Sequence, residues 1–153
     1  MSSIELDAFD RALLKLVQKN NAQTHEALGQ QVNLSASSVR RRLDRLRREG
    51  VIDREVALLD RDGYGVTLIV SIAFERESAD AYDDLDARLI GSSLVKQVYH
   101  VAGEEDYVLI VHCDSLQTYE AWAKDTLMSD PDIRRYSTRV VWSCKKFDTS
   151  LAR

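Results

Sequence analysis

Apolar positions in the first fifty residues recur at helical spacing and are interrupted twice by short polar stretches, which predicts three helices. Phe9, Leu13, Leu16 and Val17 share one face of the first, behind Asp7 and Asp10 at cap and third-position spacing. Residues 20–23, Asn-Asn-Ala-Gln, break the pattern, and Thr24 then caps a short second helix carrying Ala27, Leu28 and Val32. Asn33 and Leu34 make the turn. Ser35 caps a third helix that runs to about Glu49 and stops at Gly50, where a left-handed residue is expected.

Beyond Gly50 the period changes. Val51-Ile52 and the apolar run 56–59, separated by Asp53-Arg54-Glu55, predict an extended arm or small wing. The charged, glycine-containing stretch 60–65 is the best boundary, dividing a domain of residues 1–60 from one of residues 61–153. Strand signals then cover 66–74, 94–102 and 106–113, with a helix over 79–90 that aligns Tyr82, Leu85, Leu89 and Ile90. A second helix over 116–128 turns Tyr119, Trp122, Ala123 and Leu127 inward. A long strand over 133–146 alternates Tyr136, Thr138, Val140, Trp142 and Cys144 against Val141 and Ser143. The order βαββαβ is that of a ferredoxin-like sandwich, so the fold class is α+β: a winged helix-turn-helix followed by that sandwich. The sheet's open face still carries apolar side chains, which predicts self-association.

Charge alters this picture only when it is read locally. The net charge of −4 averages 11 Lys/Arg against 9 Asp/Glu in residues 1–61 and 10 against 16 in residues 62–153. Residues 40–48 hold six arginines and one acid, Asp44. A strongly basic helix after a tight turn is the sequence form of a DNA-binding helix-turn-helix. Val39, Leu43 and Leu46 fall together and face the core, with Ser37, Arg41, Arg45 and Arg48 roughly opposite. Ser35, Ser37 and Ser38 lie where such a helix begins to meet base edges. Arg41 and Arg45 are long enough to reach guanine edges or phosphates. Arg40 and Arg42, with Arg47 and Arg48, are assigned to the DNA backbone or solvent.

Other chemistries find little support. No apolar run approaches the roughly 20 residues of a membrane span, and the start lacks the pattern of a signal peptide, so a cytoplasmic location is expected. His100, His112, Cys113 and Cys144 lack the close paired spacing of a zinc site. As strand neighbours, His112 and Cys113 point to opposite faces. Cys113 and Cys144 fall about two strand spacings apart, roughly 10 Å, beyond disulfide reach. No phosphate-binding glycine motif occurs, and no enzyme activity, metal or cofactor is expected.

Leu6-Asp7-x-x-Asp10 followed by Leu13-Leu14, and the stretch from Leu34-Ser35 through Val39, Arg41-Arg42-Leu43 and Leu46 to Glu49-Gly50-Val51-Ile52, resemble the Lrp/AsnC or feast/famine family of regulators. Ala57-Leu58-Leu59-Asp60, Gly103-Glu104-Glu105-Asp106-Tyr107 and Arg135-x-x-Thr138 are similar to later parts of that pattern, so the likeness runs from about residue 5 to residue 150. The resemblance implies a homodimer, often built into larger even-numbered rings such as tetramers or octamers, that binds and bends promoter DNA. It also implies an amino acid or related effector bound between ligand domains near residues 103–106. Gly103, Glu104, Glu105, Asp106 and Thr138 are the effector candidates. Three departures stand out: Gln23-Thr24 in place of a common basic residue, Ala36 for a frequent proline, and Asp132 for the usual glycine after Pro131.

The loop has its own logic. Gly103 permits a tight turn, the acids form a rim for an ammonium group, and turn N–H groups suit a carboxylate. The same residues also read as an ordinary polar hairpin. Two function classes therefore stand: an effector-responsive transcription regulator, and an architectural DNA-binding protein without ligand response.

Overall fold

A computed structural model describes residues 4–59, 63–75 and 78–151. Its contacts divide the chain into two units, Met1–Leu59 together with Lys146–Arg153, and Asp60–Lys145. By contact, the last residues, expected with the second half, group with the first. Residues 60–62 of the expected boundary lie outside the described residues.

The first unit is a trihelical core of α1 (Ala8–Lys19), α2 (His25–Val32) and α3 (Ala36–Arg48). Each helix starts where a side chain satisfies an otherwise unpaired N–H. Asp7 accepts from the Asp10 N–H at 2.8 Å, and Asp10 accepts from the Asp7 N–H at 3.1 Å, closing a capping box. Thr24 and Ser35 accept from the Ala27 and Ser38 N–H groups at 3.1 and 3.2 Å. Leu13, Leu28, Val39, Leu43 and Leu46 fill the core. The turn between α2 and α3 is tight because Gly29 has no side chain: a Cβ there would meet the Leu34 carbonyl oxygen at 2.4 Å. Asn33 takes the left-handed conformation (φ 56°) that reverses the chain.

After Gly50 (φ 71°) the Val51 and Ile52 N–H groups both reach the Leu46 carbonyl, at 2.9 and 3.1 Å. Residues 53–59 form no strand, and Val56, Leu58 and Leu59 are exposed. The C-terminal tail returns to α1: the Leu151 N–H donates to Gln18 Oε1 at 2.6 Å, and Gln18 Nε2 donates to the Leu151 carbonyl at 3.4 Å. Thr149 and Leu151 there line an open groove with Val17, Val51, Ile52, Val56 and Leu58.

The second unit is a four-stranded antiparallel sheet in the order β2-β3-β1-β4. The strands are β1 (Val66–Phe74), β2 (Val95–His100), β3 (Tyr107–Cys113) and β4 (Ile133–Val140). Two helices, α4 (Ala79–Gly91) and α5 (Leu116–Ala123), complete it. Alternation places Leu68, Val70, Ile72 and Phe74 of β1 in the core with Tyr107, Leu109 and Val111 of β3, against Leu85 and Leu89 of α4 and Leu127. The opposite face is mixed rather than simply apolar. Half-buried Ile69, Val108 and Ile110 share it with polar pairs, Thr67 with His112 at 2.9 Å and Ser71 with Arg139 at 3.2 Å.

Two expected elements change. The last strand ends at Val140, not residue 146: Leu68 pairs with Val140 only two residues from the start of β1, so the partner strand runs out. Trp142 beyond it is 96% exposed. The helix expected over 116–128 widens after Ala123 into a π-helical turn, Lys124–Met128, whose Thr126 carbonyl accepts from Arg88 at 3.1 Å. Cys113 is buried and Cys144 exposed, and neither forms a disulfide.

Candidate nucleic-acid interface and effector site

The basic helix α3 presents two kinds of arginine. Arg41 and Arg48 are exposed, and among the described residues neither forms an ion pair. With Ser37, Arg40 and Asp44 they line a shallow depression that His25 and Glu26 of α2 complete. Arg40 lies 4.0 Å from Asp44, one turn along the helix. Ser35 is spent on capping: besides the Ser38 N–H, its hydroxyl contacts the Ser38 and Ser37 hydroxyls at 2.9 and 3.1 Å. Ser37 is exposed and Ser38 half-buried.

Arg42 and Arg45, expected on the DNA or solvent side, are half-buried and pair with acids of their own unit. Arg42 Nη1 bonds Asp7 at 2.7 Å and Asp10 at 2.8 Å, and Arg45 Nη2 bonds Asp10 at 2.5 Å. The cause is Asp10, whose side chain is 0% exposed and whose charge needs buried partners. Donating hydrogen bonds to Asp7 and then Asp10 raises the Arg42 pKa, while the Asp10 N–H and then Arg42 hold Asp7 below the usual carboxylate range.

His25, Glu26 and Asp44, which also line the depression, were not among the expected contact residues. His25 carried a usable signal, because the Thr24 cap makes it the first residue of α2.

In the sheet unit, Asp106 is occupied from within. Its carboxylate accepts from the Phe74 N–H at 2.7 Å and the Tyr82 hydroxyl at 3.1 Å. Its own N–H donates to the Ile72 carbonyl at 2.8 Å, and its carbonyl accepts from the Val101 N–H at 2.9 Å. That is the bonding of a residue that pins the loop to β1. Gly103, at φ 152°, and Glu104 are exposed at its tip. Glu105 differs: one oxygen meets Arg135 at 3.2 Å, while Oε2 is buried without a hydrogen-bond partner.

Thr138 does not join this loop. It lies opposite Val70 on β4, with β1 between it and β3, and its hydroxyl meets Tyr119 at 2.5 Å. Beside the loop, His100 stacks on Tyr107 (centroids 5.0 Å, 11° between planes), and Tyr82 packs against both rings. Burial, and then a hydrogen bond to Asp86 at 2.8 Å, raise the Tyr107 pKa. Among the described residues no group of three His, Cys, Asp or Glu is placed to hold a metal ion, and no helix is long and apolar enough to cross a membrane.

Comparison with known proteins bears on both units. Residues 6–53 match a winged helix-turn-helix DNA-binding model, and residues 67–151 match the Lrp/AsnC ligand binding domain. An uncharacterised HTH-type transcriptional regulator of Sinorhizobium fredii is 38% identical over 141 residues, 91% of this chain and 83% of that protein. The DNA-binding transcriptional activator DecR of Escherichia coli is 30% identical, over 95% of this chain and 97% of its own. The crystal structure of a Neisseria meningitidis transcriptional regulator in complex with L-methionine superposes with a TM-score of 0.87 at 28% identity, covering 96% of both chains.

Proposed function

The chain belongs to the Lrp/AsnC family of DNA-binding transcription regulators, and from that premise we propose that it reads promoter DNA through the exposed stripe of α3 and answers to an amino acid held by its ligand-binding domain. The observation that carries the DNA half is the stripe itself. Ser37, Arg41 and Arg48 face solvent on the helix that follows the turn, while Val39, Leu43 and Leu46 anchor it. Serines in the first turn suit base edges, and Arg41 with its neighbours suits guanine or phosphate. Arg41→Ala weakens specific binding by about 1–3 kcal/mol if it reads a base. Binding isotherms on fragments selected from genomic DNA check this, and wild-type affinity in the variant removes the assignment.

For the effector, support comes from the ligand-binding-domain match and from the relative crystallised with L-methionine. Within the loop, the role of receiving an ammonium passes from Asp106, already bonded twice, to Glu105, whose second oxygen lacks a partner, with exposed Gly103 and Glu104 beside it. A thermal-shift screen of the twenty amino acids tests it, because a ligand that binds only the folded chain raises the melting temperature. Silence across the screen, with DNA binding intact, favours the architectural alternative. The working form in the cytoplasm is a homodimer or a larger even-numbered assembly, which light scattering at micromolar concentration reads directly.

A further inference from the structure

Residues 40–48 contain six arginines, yet acids of the same unit face most of them. Arg42 is held by Asp7 and Asp10, and its guanidinium also covers the Phe9 ring at 5.3 Å from the centroid. Arg45 is held by Asp10 at 2.5 Å, with its Nε 3.7 Å from Glu49. Arg47 meets Glu55 at 2.7 Å and Asp44 at 3.1 Å. Asp10 is the centre of this arrangement. Its buried carboxylate accepts from the Asp7 N–H and from two guanidiniums. A phosphate that drew Arg42 or Arg45 away would strip partners from that buried acid, and an unpaired buried charge is strongly unfavourable.

We propose that Asp10, assisted by Asp7, is a specificity-determining residue that withholds Arg42 and Arg45 from DNA phosphates. The helix then meets DNA through Arg41 and Arg48, with Arg40 alongside. Non-specific attraction grows with the number of phosphates neutralised, whereas sequence reading depends on base contacts. Holding two arginines back lowers the first and leaves the second. The inference rests on the reading of α3 as the DNA-facing helix, and its test separates the two.

The experiment is a sodium chloride titration of binding to a mixed-sequence DNA duplex, comparing wild type with Asp10→Asn, Arg42→Gln and Arg41→Gln. Asp10→Asn removes the buried charge that both arginines face, leaving Arg42 to the exposed Asp7 and Arg45 to Glu49. Affinity at low salt should rise about three- to tenfold, and the salt slope should steepen by about one to two ions per bound protomer. Arg42→Gln leaves Asp10 paired with Arg45, so the slope should stay at the wild-type value. Arg41→Gln should flatten it by about one ion. If Arg41→Gln has no effect, the reading of the helix fails. If Arg41→Gln and Arg42→Gln flatten the slope equally, the helix reading stands and the withholding is overturned. An unchanged or shallower slope in an Asp10→Asn protein with wild-type circular dichroism overturns it as well. Should Asp10→Asn fail to fold, the Arg42→Gln slope decides alone.

Discussion

Asp10 in the helical unit lies between two guanidiniums, whereas Asp106 in the sheet unit accepts from a backbone N–H and a phenol. Both carboxylates tie distant segments together, α3 to α1 in one case and the 101–106 loop to β1 and α4 in the other. They differ in what happens to the charge. Arginines cancel it, so the basic helix loses part of its field to its own framework. Neutral donors leave it in place, so Asp106 adds to the negative field of residues 62–153, where 16 acids stand against 10 bases. An acid count or an arginine count therefore says little about the field a partner meets until the bonding of each group is known.

Removing each acid should separate the two cases. Asp10→Ala should cost the helical unit about 3 kcal/mol, near the lower end for a broken buried ion pair, because Arg42 and Arg45 keep side-chain exposures of 22% and 35%. Asp106→Ala should cost about 2 kcal/mol, as the Phe74 N–H and Tyr82 hydroxyl lose an acceptor. Denaturant midpoints measure both losses. The order should reverse if Asp10 is solvated in solution.

Salt and pH sharpen the contrast. Raising ionic strength should lower stability through the partly exposed Asp7–Arg42 and Arg47–Glu55 pairs, and a Glu55→Gln protein should respond less. Asp7, held down by the Asp10 N–H and then Arg42, and Glu55, held down by Arg47, both carry lowered pKa values. A depressed carboxylate contributes stability above its unfolded pKa, and that contribution is lost as pH falls through the folded value. Melting should therefore worsen as pH drops below about 4 and be flat above about 5. Loss that begins near pH 6 would implicate another group.

The smallest effect belongs to the tail. Gln18→Ala removes both bonds to Leu151 and should cost under about 1 kcal/mol, these bonds being exposed. Faster amide exchange at Leu151, with α1 unchanged, is the expected reading.

Much of the fold was legible because its signals are local. Asp7, Thr24 and Ser35 cap helices through bonds to residues three positions on, and apolar periodicity marks the core faces of α3, β1 and β3. Gly50 stops a helix by its own conformation. The chain order of strands and helices followed from alternating periods and short connections.

The rest depended on groups far apart in the chain. Helical phase put Arg45 roughly opposite the core, but 35 residues separate it from the buried Asp10 that bends it back. Phase fixes where a Cβ points, and a long flexible side chain goes where an opposite charge awaits it. Asp106 stood beside a glycine turn like a free acceptor, and only packing supplied the Phe74 and Tyr82 donors 32 and 24 residues away. The last strand kept its alternating pattern to residue 146 in sequence. It ended at Val140 in space, because a strand persists only as long as its neighbour offers N–H and C=O groups to pair with.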